Sequence, residues 1–217
     1  MVDPSKFEKL NVADACSIWN VLASRVLHAA ARSAQISFCI TAFVRYECLH
    51  KPSRAWPERP ELQNRLRREI ESGAVMACPI EVEDLQEVAV LEARRRLSKG
   101  EISSIVFAKK SQQAFMTDDK KAAALARAIL PGHKVQNTPH LLAWLIFTAR
   151  LHDSDKDAIV AELTSLSRNL NPHLEDAYRE ALRCRLMAQQ LLREPPSRPK
   201  LMSLRPEHGA KTECPHL

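Results

Sequence analysis

Short apolar runs alternate with longer amphipathic stretches along the whole chain, a rhythm that predicts βαβ units around a parallel sheet. The first strand is expected from Leu10 to Cys16, with Ser17 capping a helix that runs toward Ala31. Gln35 to Ile40 reads as a second strand, and Thr41 as the cap of a helix carrying Phe43, Val44 and Glu47. A proline-rich basic loop, KPSRAWPERP, precedes a helix from Glu61 to Ser72 that Gly73 ends. Ala74 to Ile80 is the third expected strand, followed by a helix from Glu83 to Leu97, a break at Gly100, and a new helix near Glu101. Ala114 to Thr117 and Lys134 to Asn137 complete the strands, with a helix from Lys120 to Leu130 between them. Pro139 to Leu151, Ser154 to Asn169 and His173 to Leu192 then read as three helices.

The expected class is therefore α/β, organised as residues 1–138 forming a catalytic domain, 139–192 a helical extension, and 193–217 a proline-rich disordered tail. Four glycines in 217 residues and no Asn-Gly dipeptide argue against an antiparallel hairpin protein.

Composition narrows the picture further. No stretch approaches the roughly 18 apolar residues that span a bilayer, and the start MVDPSKFEKL lacks the pattern of a secretory signal. The expectation is a cytoplasmic protein with no membrane partner. Six cysteines are scattered without a C-x-x-C pair, so a zinc cage is disfavoured, and Cys16, Cys39, Cys48 and Cys78 read as core thiols. Lys and Arg number 32 against 26 Asp and Glu, a net charge of +6 that favours polyanionic partners.

The acids are the candidate chemistry. Asp14 interrupts an apolar run at the end of a buried strand, either as a helix N-cap or as a group facing the crevice that open α/β sheets form at their strand ends. Glu47 falls on the face its helix must bury, unless it snorkels to the rim and pairs with Arg45 or Lys51. Glu101 opens a helix, either stabilising the first turn or facing the same crevice. Asp118 and Asp119 follow a strand together, and capping needs only one of them. Carboxylates gathered in one pocket repel each other unless a cation neutralises them, and an all-oxygen donor set predicts Mg²⁺ or Mn²⁺.

Four segments, VADACSIWNVL, ITAFVRYECL, LSKGEISSIVFAKK and AFMTDDKKAAALA, resemble the PIN domain family, in particular the predicted nucleic-acid-binding proteins related to toxin nucleases (VapC-like). The likeness covers about Asn11 to Asn137, and PHLLAWLIFTARL resembles, more loosely, a C-terminal helical extension of some members. The resemblance implies a PIN-like three-layer fold and an Mg²⁺- or Mn²⁺-dependent endoribonuclease that leaves a 5′-phosphate and a 3′-hydroxyl. It implies catalytic roles for Asp14, Glu47, Glu101 and Asp119, with metal held by Asp14, Glu101 and Asp119 or the neighbouring Asp118. RNA is the implied partner, DNA the other polymer, and a small antitoxin protein and a homodimer are the implied protein partners.

A basic rim would hold the polyanion: Lys51, Arg54, Arg59, Arg65 and Arg68 on one side, with Lys99, Lys109, Lys110, Lys120 and Lys121 near the acidic segments. Trp56 stands between prolines, either as a loop anchor or as a base-stacking platform, and Arg94, Arg95 and Arg96 read as a solvated helix face. The alternative to a nuclease is a catalytically silent module of the same fold that binds nucleic acid or protein. No nucleophile elbow, phosphate loop or zinc helix is present.

Overall fold

The computed structural model describes residues 3–52, 56–94 and 97–193. Five strands, β1 (Leu10–Ala13), β2 (Ser37–Thr41), β3 (Val75–Cys78), β4 (Ala114–Met116) and β5 (Val135–Gln136), form one sheet in the order β3-β2-β1-β4-β5. Every pairing is parallel, with Val12 lying between Cys39 and Phe115 and Ala13 opposite Met116. The arrangement has three layers, as a PIN-like α/β fold requires.

Both faces of the sheet are covered, which is why its central strands read as continuous apolar runs rather than alternating ones. Val12, Cys39 and Phe115 pack on one face beneath α6 (Lys99–Ser111) and α7 (Lys120–Ile129). Ala13, Phe38, Ile40 and Met116 pack on the other, against α1 (Ala15–Ala23), α2 (Arg25–Ser33), α3 (Ala42–Leu49) and α4 (Arg59–Glu71). α5 (Val82–Arg94) lies against α6.

The three C-terminal helices, α8 (Thr138–Phe147), α9 (Asp153–Ser165) and α10 (Asn171–Arg193), share the second core: Leu141, Leu142, Ile159, Leu163 and Leu174 belong to the same cluster as Phe38 and Met116. The extension is therefore continuous with the sheet's own packing. The expected tail after residue 193 lies outside the described residues, as do Arg54, Arg95 and Arg96.

The elements follow the apolar pattern, with three instructive differences. The helix expected from Ser17 to Ala31 is two helices, because Asp14 rather than Ser17 caps the first and Ser24 leaves the helical region to cap the second through Leu27 N–H. Gly100 does not break a helix; it lies in the first turn of α6, whose cap is Ser98. Few glycines are needed because Gln35, Gln112, Ala149 and Ser167 themselves take left-handed conformations at helix ends. Thr41 caps α3 as expected, accepting from Val44 N–H.

Candidate active site

From β1 the chain builds outward to β2 and β3, then crosses back to place β4 on the other side of β1. The order reverses between β1 and β4, and the crevice at the carboxyl ends of such a pair is where open α/β sheets bind ligands. Asp14 ends β1 there, and Thr117, Asp118 and Asp119 end β4.

Asp14 is 1% exposed. Its Oδ1 accepts from Ser17 N–H at 2.8 Å and lies 2.8 Å from Ser17 Oγ, whose single proton also lies within reach of the Met116 carbonyl at 2.7 Å. Its Oδ2 accepts from the Thr117 hydroxyl at 2.5 Å. These donors are all neutral. Burial pushes the Asp14 carboxyl up to about 6, against the opposing pull of its hydrogen bonds and with a further push from Asp118.

Thr117 links the two strand ends. While its hydroxyl serves Asp14, its oxygen accepts from Asp119 N–H at 3.0 Å, so one side chain sets the position of both acids. Asp119 caps α7, with Oδ1 accepting from Lys121 N–H and Ala122 N–H. Asp118 turns the other way: it accepts from Thr138 N–H at 3.0 Å, from the Thr138 hydroxyl at 2.6 Å and from Asn20 Nδ2 at 2.7 Å. The two adjacent acids thus divide their duties, Asp118 tying β4 to α1 and α8 while Asp119 keeps one oxygen, Oδ2, without a donor among the described residues.

Glu47 and Glu101 arrive from α3 and α6. Ser98 and Glu101 form a reciprocal capping box, Glu101 Oε2 accepting from Ser98 N–H at 2.7 Å and Ser98 Oγ from Glu101 N–H at 3.2 Å. Glu47 Oε1 accepts from Gly100 N–H at 3.3 Å. A Cβ at Gly100 would stand 2.4 Å from Glu47 Oε2, so the glycine makes room for that carboxylate by close approach and not for a special backbone conformation. Burial, Asp119 and Glu47 together push the Glu101 carboxyl above the usual range.

Replacing Gly100 by Ala is expected to leave the fold intact, since alanine is the better helix former by about 1 kcal/mol and the obstructing atoms are the movable end of a side chain. The Glu47 carboxylate should nevertheless be displaced from Gly100 N–H, because the added Cβ claims the space it occupies. Thermal unfolding and a crystal structure of the variant check both halves.

Two groups of acids result: Asp14 feels Asp118, and Glu101 feels Asp119 and Glu47, with Thr117 joining the groups. As they stand, no three His, Cys, Asp or Glu side chains among the described residues are gathered to hold one ion. Glu47 lines a cavity of about 460 Å³ together with Lys51, Ser98 and Lys99, and Asp118 one of about 370 Å³ together with Lys120. Comparison with protein-family models and with curated proteins finds no match to this chain.

The predicted basic residues separate by environment. Lys51, Lys99, Lys120 and Lys121 are exposed beside the acids or at the start of α7. Arg65 instead turns inward, donating from one nitrogen to the carbonyls of Leu22 and Ala23 at 2.9 Å each and so closing the end of α1. Arg59 reaches the carbonyls of Glu47, Cys48 and Lys51 at the end of α3. Lys109 and Lys110 pair with acids of α5 and its approach, Glu87, Glu81 and Asp84. Arg68 lies on the exposed side of α4.

Arg168, between α9 and α10, was not among the expected residues. Its Nε donates to Asn20 Oδ1 at 2.6 Å, its guanidinium lies 5.7 Å from the centre of the Trp56 ring, and Asn20 in turn holds Asp118. Trp56 also meets Trp19 edge to face, which makes it an anchor of the loop before α4. No local pattern marks Arg168, because its partners lie far back in the chain.

Proposed function

We propose that the chain is a divalent-metal-dependent ribonuclease of the PIN type. The observation that carries this reading is the placement of Asp14 and Asp119 at the carboxyl ends of the two strands flanking the switch point, bridged by one threonine, with Glu101 close enough for Asp119 to push its carboxyl up.

The residues fit a hard cation in kind and in charge: the donors are carboxylate oxygens, and the burial of Glu101, with the added repulsion of Asp119 and Glu47, is what a divalent ion would offset. Asp14, Glu101 and Asp119 would hold it. When bound, Mg²⁺ or Mn²⁺ supplies Lewis acidity toward a phosphate and toward water. The chain's own residues do the rest. Glu47, held against Gly100, orients the site, Thr117 fixes the spacing of Asp14 and Asp119, and Lys51, Lys99 and Lys120 attract the polyanion without reading its sequence.

A second reading, a catalytically silent module of the same fold, is favoured by the full use of both Asp14 oxygens by Ser17 and Thr117 and by the lack of a ready three-ligand group among the described residues. Manganese separates the two. At a hundredfold excess over its dissociation constant, an ion that binds only the folded chain adds about 2.7 kcal/mol, raising the unfolding midpoint by roughly 5–10 °C. That rise, with EDTA-sensitive cleavage of single-stranded RNA, is the expected result; an unchanged midpoint and intact RNA would leave the silent module.

A further inference from the structure

The 370 Å³ cavity beside the candidate active site is formed mainly by the C-terminal helices, with Asp118 and Lys120 at its edge toward the acids. Asp118 and Lys120 line it from the end of β4 and the start of α7, Ala143 from α8, and Asp176 and Ala177 from α10. The two alanines leave it open, with Pro139 and Leu170 adding apolar lining.

Its polar lining comprises carboxylates, the Lys120 ammonium, the Asn137 amide and two imidazoles, His173 and His140, the latter turned to the Asp3 and Lys6 carbonyls. Asn137 Oδ1 accepts from His140 N–H and caps α8, which leaves the Asn137 amide nitrogen as a donor at the cavity. Glu180 is committed to Arg183, but Asp176 is exposed and, among the described residues, forms no hydrogen bond or ion pair. A carboxylate repels a phosphate group and accepts from an amino group. Apolar walls of this kind suit a planar ring, and Asp and Glu are the acceptors that read the exocyclic amino group of a base.

We propose that this cavity takes one unpaired, amino-bearing nucleobase of a single-stranded RNA. Asp176 accepts from the base amino group, Ala143 and Ala177 contact the ring, and Lys120 meets the adjoining phosphate at the acid crevice. The helical extension therefore confers a preference for unstacked bases, since a base within a duplex cannot leave its stack without cost. That the amino-bearing ring belongs to an RNA, and that the adjoining phosphate is the scissile one, rest on the ribonuclease reading.

The test is equilibrium binding of short oligocytidylate, oligouridylate and duplex RNA in EDTA, where no cleavage intervenes. Cytosine and uracil differ in the group under test, an amino group against a carbonyl. Oligocytidylate should bind at least about tenfold more tightly than oligouridylate or duplex, a difference of about 1.4 kcal/mol. Asp176→Ala and Ala177→Trp should each bring oligocytidylate down to the oligouridylate level. Equal binding of the two single strands, tight binding of duplex, or wild-type discrimination in Asp176→Ala overturns the proposal. Circular dichroism checks that the tryptophan variant folds, and the exposed Asp176 position supplies the answer if it does not. Wild-type protein that fails to cleave in Mn²⁺ yet prefers oligocytidylate would remove the nuclease reading and keep the pocket; a metal-dependent nuclease without the preference would do the reverse.

Discussion

On the proposed nuclease reading, Asn in place of Asp14 should lower Mn²⁺-dependent RNA cleavage by on the order of 10³-fold, about 4 kcal/mol of transition-state stabilisation. The same change should make the metal-free protein more stable at neutral pH. The folded-state value of this carboxyl, about 6 against an ordinary 3.8, means that the folded chain holds the Asp14 proton more tightly than the unfolded chain. Stability is then greatest below about pH 4 as far as this group is concerned, falls as pH rises toward 6, and at neutral pH is lower by about 3 kcal/mol.

The amide that replaces the carboxyl carries no charge to bury, so the Asp14→Asn variant in EDTA should lose this pH dependence and unfold at a higher temperature than the native chain at pH 7. A site that costs the fold stability in order to keep a carboxylate has the trade expected of function. Undiminished cleavage by the variant would remove Asp14 from the proposed active site, whatever the stability data show.

The second large effect concerns Asp118, and here the expected loss is of the fold. Asp118→Ala leaves Thr138 N–H, the Thr138 hydroxyl and the Asn20 amide without their acceptor. Thr138 and Asn20 are buried, at 0% and 1% exposure, so water entering from the cavity that Asp118 lines replaces the lost carboxylate only in part. At 1–3 kcal/mol for each buried group stranded in this way, and allowing for relaxation, the variant should be destabilised by about 3–4 kcal/mol. Asp119→Ala removes a helix cap and should cost only about 1 kcal/mol, and on the proposed nuclease reading it should abolish cleavage. Urea unfolding of the two variants side by side measures the contrast. Equal destabilisation by both substitutions would mean that the two acids do not divide their duties as described.

That division could not be read along the chain. Asp118 and Asp119 are neighbours with identical side chains, and either satisfies the local requirement for a cap before Lys120. The distinction arises because Asn20 and Thr138, remote in sequence on either side, present donors to one of them and not the other. Arg65 is a similar case. Its position on a basic helix suggested a phosphate contact, yet the end of α1 lies beneath it and offers two carbonyls that need a donor.

Gly100 shows what pattern reading misses in another way. A glycine before a helical run suggests a break, and the run does begin nearby. The residue is inside the helix, however, and its lack of a side chain makes room for Glu47 arriving from α3. The absence of a Cβ matters only in relation to a neighbour that stands far earlier in the chain, as the 53-residue separation of that hydrogen bond records.

The order of strands and helices, the parallel character of the sheet and the cap at Thr41 were determined by the sequence itself, because period and capping chemistry act over a few residues. The tertiary structure alone decided that the chain reverses its strand order between β1 and β4, that Thr117 spans Asp14 and Asp119, and that α8 and α10 close a cavity beside them. Such relations depend on packing between segments far apart in the chain, and many foldings of the same local elements would leave each acid equally well capped and differently accompanied.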